Sequence, residues 1–481
     1  MCAGARLVSA SSLWESGSMT WQSDHAMLED PEAEPMKRGI NVIGPLSADV
    51  GIGAAGRSTL QILARRHIPH VAVDIQLGMP TSVEPIPDST PRASSLKALP
   101  YSATVVEFNP ETFDTAILRW QRRTGYDMAP TVNAIVPFWE LPLLPAEWLP
   151  ILQGFDVVLA PTKFIREATE RSVLERLRPL ILDYPQVVHP PALVEPDRTR
   201  WLGERSRCTT FLSTFDILSE IERKNPWASI KAFQRAFVDR GDVSLVIKVN
   251  HARSATNSDW LTQLQGLADA DHRIRLMTDS LTREDLWSLY ASIDAYVSLH
   301  RAEGLGLGLM EAMSVGKPVV ATAWSGNMDF MNAANSMLVG YELVPVSGTS
   351  LPIYQDARGQ KWAEPDAEEA MLALRALADH PQLMARLGSR AAEDMRRRVV
   401  DPAYTDVLEE LLAMADAGAA ATREHSARMR AVRRYMRSQT VNSRTILTAA
   451  KRTGVRMARA LGLKAPAPAT ERRPGPPPVL S

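Results

Sequence analysis

The chain has 481 residues, of which 45% are hydrophobic and 23% are charged, and its formal net charge at pH 7 is −1. This composition is typical of a folded globular protein and excludes collagen-like, disulfide-scaffold and wholly disordered chains. The two cysteines, Cys2 and Cys208, cannot build a disulfide framework or a multi-thiolate metal site, which favours a reducing compartment. The sequence has no run of about 18 apolar residues, which argues against a membrane-spanning helix.

Short apolar runs alternate with helical patterns between residue 39 and about residue 400. Many of these runs are apolar throughout, as expected of parallel strands that are covered on both faces. The strands predicted in the first half are Ile40–Gly44, His70–Ile75, Ala103–Phe108, Val132–Val136, Val157–Ala160 and Gln186–His189. Those predicted in the second half are Cys208–Thr214, Val243–Val249, Arg273–Met277, Ala295–Leu299 and Pro318–Thr322.

Strand–helix alternation in two sets predicts two parallel-sheet α/β units joined by a proline-containing linker near residues 190–204. We predict a disordered extension over 1–38, an N-terminal domain over 39–195 and a C-terminal domain over 196–400. A helical segment over 401–464, basic from residue 423, and a proline-rich disordered tail over 465–481 complete the predicted organisation.

The first chemical candidate is the glycine-rich segment 51–56, in which Gly51, Gly53 and Gly56 match the dinucleotide-binding pattern G-x-G-x-x-G. Asp74 follows 18 residues later, as such a site requires. However, residues 45–50 separate the first glycine from the end of the predicted strand, whereas the dinucleotide turn follows its strand directly. Three interpretations stay open, in order of preference: contact with a phosphate or sugar, a structural turn, and a NAD site.

The second candidate runs from Glu303 to Glu311, between the end of a predicted strand and the start of a predicted helix. Its three glycines free the backbone for close approach to a ligand. A carboxylate accepts paired sugar hydroxyls well, and the N-terminus of a helix favours a phosphate. Open α/β sheets bind ligands at the carboxyl ends of their strands. The segment therefore predicts a nucleotide-sugar site; the alternative is a tight connection followed by a surface helix.

The two glutamates form an E-x7-E pair, and the segment 300–311 resembles the signature of retaining glycosyltransferase family 4, whose members have the GT-B fold. Downstream, 316–322 and 325–327 resemble that family's next strand and the loop after it. Upstream, 222–226 resembles the basic turn that opens its donor domain. Further resemblances are the first strand and glycine-rich loop at 41–57 and a segment of a bacterial polysaccharide-type branch at 138–142. Together they cover roughly residues 39–400.

The resemblance implies roles for the matching residues. Glu303 would contact the hydroxyls of the donor sugar, and Lys224, with Arg223, would neutralise the diphosphate; Glu303 and Lys224 are the implied catalytic residues. Glu311 would hold the ribose, and Gly51 and Gly53 would contact the donor from the N-terminal domain. The remaining implied donor-binding residues are Gly304, Leu305, Gly306, Ser325, Gly326 and Asn327. No metal ion and no other cofactor is expected.

Some positions depart from the family pattern or admit two interpretations. Phe215-Asp216 stands where many members have an arginine, and no histidine is assigned a catalytic role. Glu140 is an alternative polar group on the N-terminal side of the site, although a solvated loop carboxylate is the preferred interpretation. His300 and Arg301 either line the donor pocket or have a structural role at the end of a strand.

The charge of the chain is unevenly distributed. Between Arg423 and Arg473 there are 14 basic residues against two glutamates, so this segment carries +12 and the rest of the chain −13. Within 423–464 the arginines flank apolar positions at helical spacing, a basic amphipathic pattern. An anionic membrane surface and bulk solvent are equally supported as its surroundings. Nucleic acid is not expected as a partner, because Tyr435 is the only aromatic residue among these arginines and bases stack on aromatic side chains.

We therefore predict a cytoplasmic, peripherally membrane-associated retaining glycosyltransferase of the hexosyltransferase type. It would transfer a sugar from a nucleotide sugar to a hydroxyl acceptor, such as a lipid-linked glycan, in the assembly of a surface polysaccharide or glycolipid. One alternative is a NAD-dependent oxidoreductase that uses the loop Gly51-x-Gly53-x-x-Gly56. The other is a non-catalytic scaffold that binds a nucleotide sugar.

Overall fold

The structure is a computed structural model that describes residues 36–75, 86, 89–93, 99–110, 132–175, 178–252, 259–354, 357, 359–402 and 406–417. Most of the predicted extension over 1–38 and all of the segments 423–464 and 465–481 lie outside the described residues. The described residues from Lys37 onward belong to one compact unit.

Six parallel strands form the first sheet, in the order β2-β1-β3-β4-β5-β6. These strands are β1 Lys37–Gly44, β2 His70–Asp74, β3 Tyr101–Val106, β4 Val132–Ile135, β5 Val157–Ala160 and β6 Leu180–Asp183. The first five are confirmed, but the sixth was predicted wrongly at Gln186–His189. That segment lies instead against helices, where its carbonyl oxygens accept bonds from the side chains of Ser58 and Arg398.

The second sheet also has six parallel strands, in the order β12-β11-β10-β7-β8-β9. They are β7 Thr209–Asp216, β8 Val243–Asn250, β9 Ile274–Met277, β10 Ala295–Ser298, β11 Val319–Thr322 and β12 Ser336–Val339. Five match the predicted strands, and two parallel-sheet α/β units are confirmed. Two features were not predicted: β12, and an antiparallel hairpin of β13 Tyr341–Pro345 with β14 Lys361–Pro365.

Helices connect and cover the strands. They are α1 Gly51–Arg65, α2 Leu149–Leu152, α3 Lys163–Ser172, α4 Arg198–Leu202, α5 Ile221–Lys224, α6 Pro226–Ala236, α7 Asp259–Ala270, α8 Arg283–Ser292, α9 Leu307–Ser314, α10 Ala367–Asp379, α11 Pro381–Val400 and α12 Asp406–Asp416. Thr282 caps the start of α8, because its Oγ1 accepts a hydrogen bond of 3.0 Å from the amide of Asp285. None of the described helices is both long and apolar enough to cross a membrane.

The C-terminal end of the described chain returns to the first sheet. Helix α12 buries Val407, Leu408, Leu411 and Leu412 in the same apolar cluster as Ile40 of β1. Salt bridges from Arg38 to Glu409 and Asp416, both of 3.0 Å, lie at the exposed end of this contact. Because exposed ion pairs contribute little, the apolar face of α12 supplies most of the attachment.

A carboxyl group is buried beneath α1 in the first half. Glu107 follows β3 and is fully buried, and Thr59 Oγ1 of α1 donates to its Oε1 over 2.6 Å. The hydroxyl of Tyr184 lies 2.8 Å from the same Thr59 oxygen. Burial disfavours the charged form and raises the pKa of Glu107 to about 7, although the bond from Thr59 opposes this rise.

This raised pKa predicts that the protein loses stability as the pH rises. In the native protein the Glu107 carboxyl keeps its proton up to about pH 7, whereas in the unfolded chain it loses the proton near pH 4.5. The resulting contribution to the free energy of unfolding is complete below pH 4.5 and is lost as the pH rises through 7. Between about pH 5 and about pH 8 the wild type should lose about 2–3 kcal/mol relative to Glu107→Gln. Urea unfolding of both proteins measures this difference. The exposed control Glu147→Gln should keep the wild-type pH dependence, and parallel curves for wild type and Glu107→Gln would contradict the prediction.

Candidate active site

A cavity of about 510 Å³ lies between the two sheets. Its walls come from segments that follow strands of both halves, which places it at the carboxyl ends of the strands, where parallel sheets bind ligands. The lining residues of the first half lie within 49–57 and 138–140, and those of the second half lie within 214–224, 281–286 and 303–311, among others. The cavity thus brings the glycine-rich segment, the basic turn and the E-x7-E segment to one place.

A sharp turn presents the basic pair to this cavity. Asn225 adopts a left-handed conformation (φ 48°), which ends the short helix α5 at Lys224, and Pro226 then begins α6. Asparagine tolerates this conformation and proline suits the first turn of a helix, so the local sequence itself specifies the break. Both Arg223 and Lys224 line the cavity.

Glu303 lies directly against these two cations. Its Oε1 accepts a short hydrogen bond from Lys224 Nζ, and its Oε2 lies 3.3 Å from Arg223 Nη1. Burial alone would raise the pKa of Glu303, but the positive charges of Lys224 and Arg223 outweigh it and lower this pKa to about 2. The carboxylate therefore stays ionised at neutral pH, where it can accept hydrogen bonds from hydroxyl groups. This direct ion pair was not predicted from the sequence.

The predicted loop residues 325–327 support Glu303 from behind and do not line the cavity. Ser325 Oγ accepts a 2.7 Å bond from the amide of Glu303, and the amide of Gly326 donates to the Glu303 carbonyl over 2.8 Å. A Cβ at Gly326 would lie 2.1 Å from the carbonyl oxygen of Gly304. Asn327 is fully buried and donates to the Thr322 carbonyl over 3.0 Å. These residues therefore fix the backbone that presents Glu303.

The glycines of the E-x7-E segment allow close contacts of the backbone. Gly304 contacts the first half, since its carbonyl accepts a 3.0 Å bond from Thr162 Oγ1 and a Cβ there would lie 3.0 Å from the Trp139 carbonyl oxygen. Gly306 adopts a left-handed conformation (φ 90°) at the start of α9. Both residues, with the buried Leu305, line the cavity.

Glu311 also lies at the cavity wall, one turn into α9, and is buried. Its Oε1 lies 2.5 Å from Arg283 Nη1, in an ion pair between α9 and the start of α8. Burial and the charge of nearby Glu311 raise the pKa of Tyr290 well above its ordinary value, so its hydroxyl stays protonated beside this carboxylate. No spacing pattern indicates Arg283 as a partner, because it is 28 residues from Glu311.

The glycine-rich segment begins α1 and is mainly a packing motif. Of the two glycines predicted to contact the donor, Gly51 lines the cavity, but a Cβ at Gly53 would lie 2.3 Å from the Ala48 carbonyl oxygen. Asp74 Oδ1 accepts a 3.0 Å bond from the amide of Ser47, so this carboxylate holds the loop 45–50. Neither Gly53 nor Asp74 lies among the residues that line the cavity.

His300 and Arg301 lie outside the lining of the cavity. His300 is fully buried, with Nδ1 3.0 Å from Ser298 Oγ, and burial lowers its pKa. Arg301 pairs with Glu222 at 2.8 Å and with Glu364 at 2.6 Å. The structure thus favours the structural interpretation of both residues.

At one edge of the cavity, a histidine that the sequence analysis did not consider lies between two carboxylates. His251 follows β8 and places Nδ1 3.0 Å from Asp216 and Nε2 3.3 Å from Asp49 of the first half. The hydrogen bond to Asp216 is the main cause of a raised pKa at His251, although burial opposes it. Asp216, which stands near the family's arginine position, therefore faces a histidine.

Comparison with known proteins adds to this geometry. The family model described as Glycosyl transferases group 1 matches residues 221–342, the stretch that contains Arg223, Lys224, Glu303 and Glu311. The chain carries a group 1 glycosyltransferase domain. No curated protein sequence resembles the chain closely enough to count as a match.

Solved structures resemble the chain in fold. Sucrose-phosphate synthase from Thermosynechococcus elongatus is 16% identical, with a TM-score of 0.55, and the match covers 80% of this chain and 100% of that one. A trehalose-6-phosphate protein from E. coli, solved with UDP-2-fluoro glucose, is 11% identical with a TM-score of 0.52, and the match covers 79% and 100%. TarM is 14% identical with a TM-score of 0.44; the match covers 64% of this chain and spans 54% of TarM, about half its length. The predicted GT-B fold and enzyme class, glycosyltransferase, are confirmed.

The packing role of Gly53 is testable. Gly53→Ala places a methyl group against backbone oxygens that cannot move without displacing the loop 45–50, and overpacking of this kind costs about 1–3 kcal/mol. Gly266→Ala in α7, where no atom lies within 4 Å of the added Cβ, is the control and should be neutral or stabilising. The free energies of unfolding of both variants measure the difference. Equal values would show that the loop adapts freely.

Proposed function

We propose that this protein is a retaining glycosyltransferase that transfers a hexosyl group from a nucleotide sugar to a hydroxyl acceptor. The observation that carries the proposal is the meeting of Glu303, Glu311 and Lys224 in one cavity between two parallel sheets. A nucleotide sugar requires one carboxylate to bind its sugar hydroxyls, a second carboxylate to bind its ribose hydroxyls and a cation to bind its diphosphate. The trehalose-6-phosphate protein solved with UDP-2-fluoro glucose supports a donor of this class.

In this proposal the charges of the cavity stabilise the departing nucleotide. Lys224 and Arg223 lie beside Glu303, so the diphosphate attaches near the sugar-binding carboxylate and meets two fixed cations. Positive groups arranged before the reaction stabilise negative charge that develops on a leaving group. We propose that these side chains supply the charge that a metal ion would otherwise supply, and that activity therefore persists in the presence of a chelator.

The donor proposal predicts a specific pattern in a screen of UDP- and GDP-sugars. The wild type should release nucleotide in a sugar-dependent manner, and Glu303→Gln should lose about 100-fold or more in kcat/KM, since it removes a charged contact to the reacting sugar. The anomeric configuration of the product, followed by NMR, tests retention.

Matched controls separate the rival functions. Glu364→Gln removes a partly exposed carboxylate that pairs with Arg301 outside the cavity, and this variant should keep wild-type activity. Stabilisation by NAD but by no nucleotide sugar in a thermal-shift assay would favour the oxidoreductase alternative. Binding of a nucleotide sugar without any transfer or hydrolysis would favour the scaffold.

The proposed acceptor is a lipid-linked glycan of surface polysaccharide or glycolipid assembly, reached at a membrane surface. The support is the net charge of +12 between residues 423 and 473, since each cation near an anionic bilayer contributes about 1 kcal/mol. We propose the inner face of the cytoplasmic membrane as the site of action, and the same charge is the support for it.

Liposome flotation tests this membrane contact. Full-length protein should float with vesicles that contain anionic lipid, whereas a truncation after Ala420 should stay in the dense fraction. Binding should weaken steeply as salt is raised, because screening acts on exposed charges. Equal partitioning of both proteins would remove the support for a membrane-bound acceptor.

A further inference from the structure

The hairpin β13–β14 and its loop are attached firmly to the second half of the protein. Glu220 Oε2 accepts bonds of 2.7 and 2.9 Å from the amides of Ser350 and Leu351, at the start of the loop. On the returning strand, the amide of Ala363 donates to the Arg301 carbonyl over 2.9 Å. Trp362 is buried below the Arg301 guanidinium, 5.4 Å from the ring centre. The loop between the strands therefore has a fixed base.

The same loop crosses to the first half of the protein. The ring of Tyr354 stacks on Trp139, with ring centres 5.3 Å apart and an angle of 18° between planes. Gln360 Oε1 accepts a 2.8 Å bond from the amide of Leu143. The side chains of Tyr354 and Trp362 belong to the apolar core of the first half. The hairpin thus closes one side of the cleft as a built part of both halves.

At this crossing a second carboxylate joins the charges around Glu303. The Tyr354 hydroxyl donates to Glu140 Oε2 over 2.8 Å, and Glu140 Oε1 lies 3.4 Å from Arg223 Nη2. The other terminal nitrogen of Arg223 contacts Glu303. One buried guanidinium therefore separates Glu140 from Glu303, and two carboxylates face two cations, Arg223 and Lys224. Burial and the charge of Glu140 raise the pKa of Tyr354 well above its ordinary value, so its hydroxyl remains a donor.

Glu140 is the more accessible of the two carboxylates. Its side chain is 19% exposed, compared with 9% for Glu303, and both line the cavity. A carboxylate offers about four acceptor positions, of which Tyr354 and Arg223 use two here. A single sugar ring can span the width of one guanidinium. Glu140 can therefore accept a hydrogen bond from the same glycosyl group that contacts Glu303.

We propose that Glu140 binds a hydroxyl of the donor's glycosyl group from the N-terminal half, and that Tyr354 is a positioning residue that holds the Glu140 carboxylate through their hydrogen bond. The proposal rests on the proposed function and adds a second sugar contact to it.

Calorimetric binding of a nucleotide sugar and of its nucleoside diphosphate distinguishes this role from a general structural one. Glu140→Gln should raise the Kd of the nucleotide sugar about tenfold relative to the Kd of the diphosphate, because it loses a hydrogen bond from a sugar hydroxyl to a charged group. Tyr354→Phe, which keeps the ring stacked on Trp139, should raise the Kd of the nucleotide sugar but not that of the diphosphate. The double variant should match Glu140→Gln, because Tyr354 acts through Glu140.

Two variants of the same hairpin serve as controls. Glu342→Gln removes an exposed carboxylate, and Tyr341→Phe removes a hydroxyl from a ring that packs on Trp324; neither residue lines the cavity. Both should bind as the wild type does.

The outcomes separate this proposal from the function on which it rests. A wild type that binds no nucleotide sugar refutes the proposed function itself. A wild type that binds one, with Glu140→Gln binding it equally well, refutes only the sugar contact. Equal weakening of diphosphate and nucleotide sugar, additive losses in the double variant, or a rise confined to the KM of the acceptor would also overturn the assignment.

Discussion

The arrangement of this site depends on the buried ion pair of Glu303 with Lys224 and Arg223. A buried carboxylate without a partner costs several kcal/mol, so Glu303 can lie in the cavity wall only because two cations reach it from the turn after α5. The left-handed Asn225 ends the helix that carries the two cations, and the close approach of Gly326 to the backbone of Gly304 supports Glu303 from the other side. The loops around the cavity therefore hold the charged groups of Glu303, Lys224 and Arg223 together in a largely buried position.

The parallel strands were largely predictable, because a strand covered on both faces must be apolar along its whole length. The exceptions have physical causes. The run Gln186–His189 is apolar at its centre, yet its backbone bonds to helix side chains and leaves the sheet edge to Leu180–Asp183. The strand β13 escaped detection because it is exposed at most positions and alternates little, so its sequence carries no burial signal.

The site was predictable only where its parts are close in sequence. The pair Glu303 and Glu311 was found from spacing within one segment, and the turn Arg223-Lys224 was found from its resemblance to a family motif. The structure brings both to the cavity. The partners that set their electrostatics lie far away along the chain. Glu140 and Tyr354 are 214 residues apart, and only the docking of the hairpin on Trp139 brings them together. A charge pattern in one segment cannot encode contacts that arise from the packing of two halves.

The glycine-rich segment shows why a motif needs its structural context. In a dinucleotide site, glycines let the backbone approach a pyrophosphate. Here the same spacing lets α1 approach its own preceding loop, since a side chain at Gly53 would meet carbonyl oxygens of Pro45 and Ala48, and one at Gly56 would meet Leu46. Asp74, which would hold a ribose in that other setting, is engaged by the Ser47 amide. The six residues between β1 and α1 pack against Gly53 and Gly56, and of the three glycines only Gly51 lines the cavity.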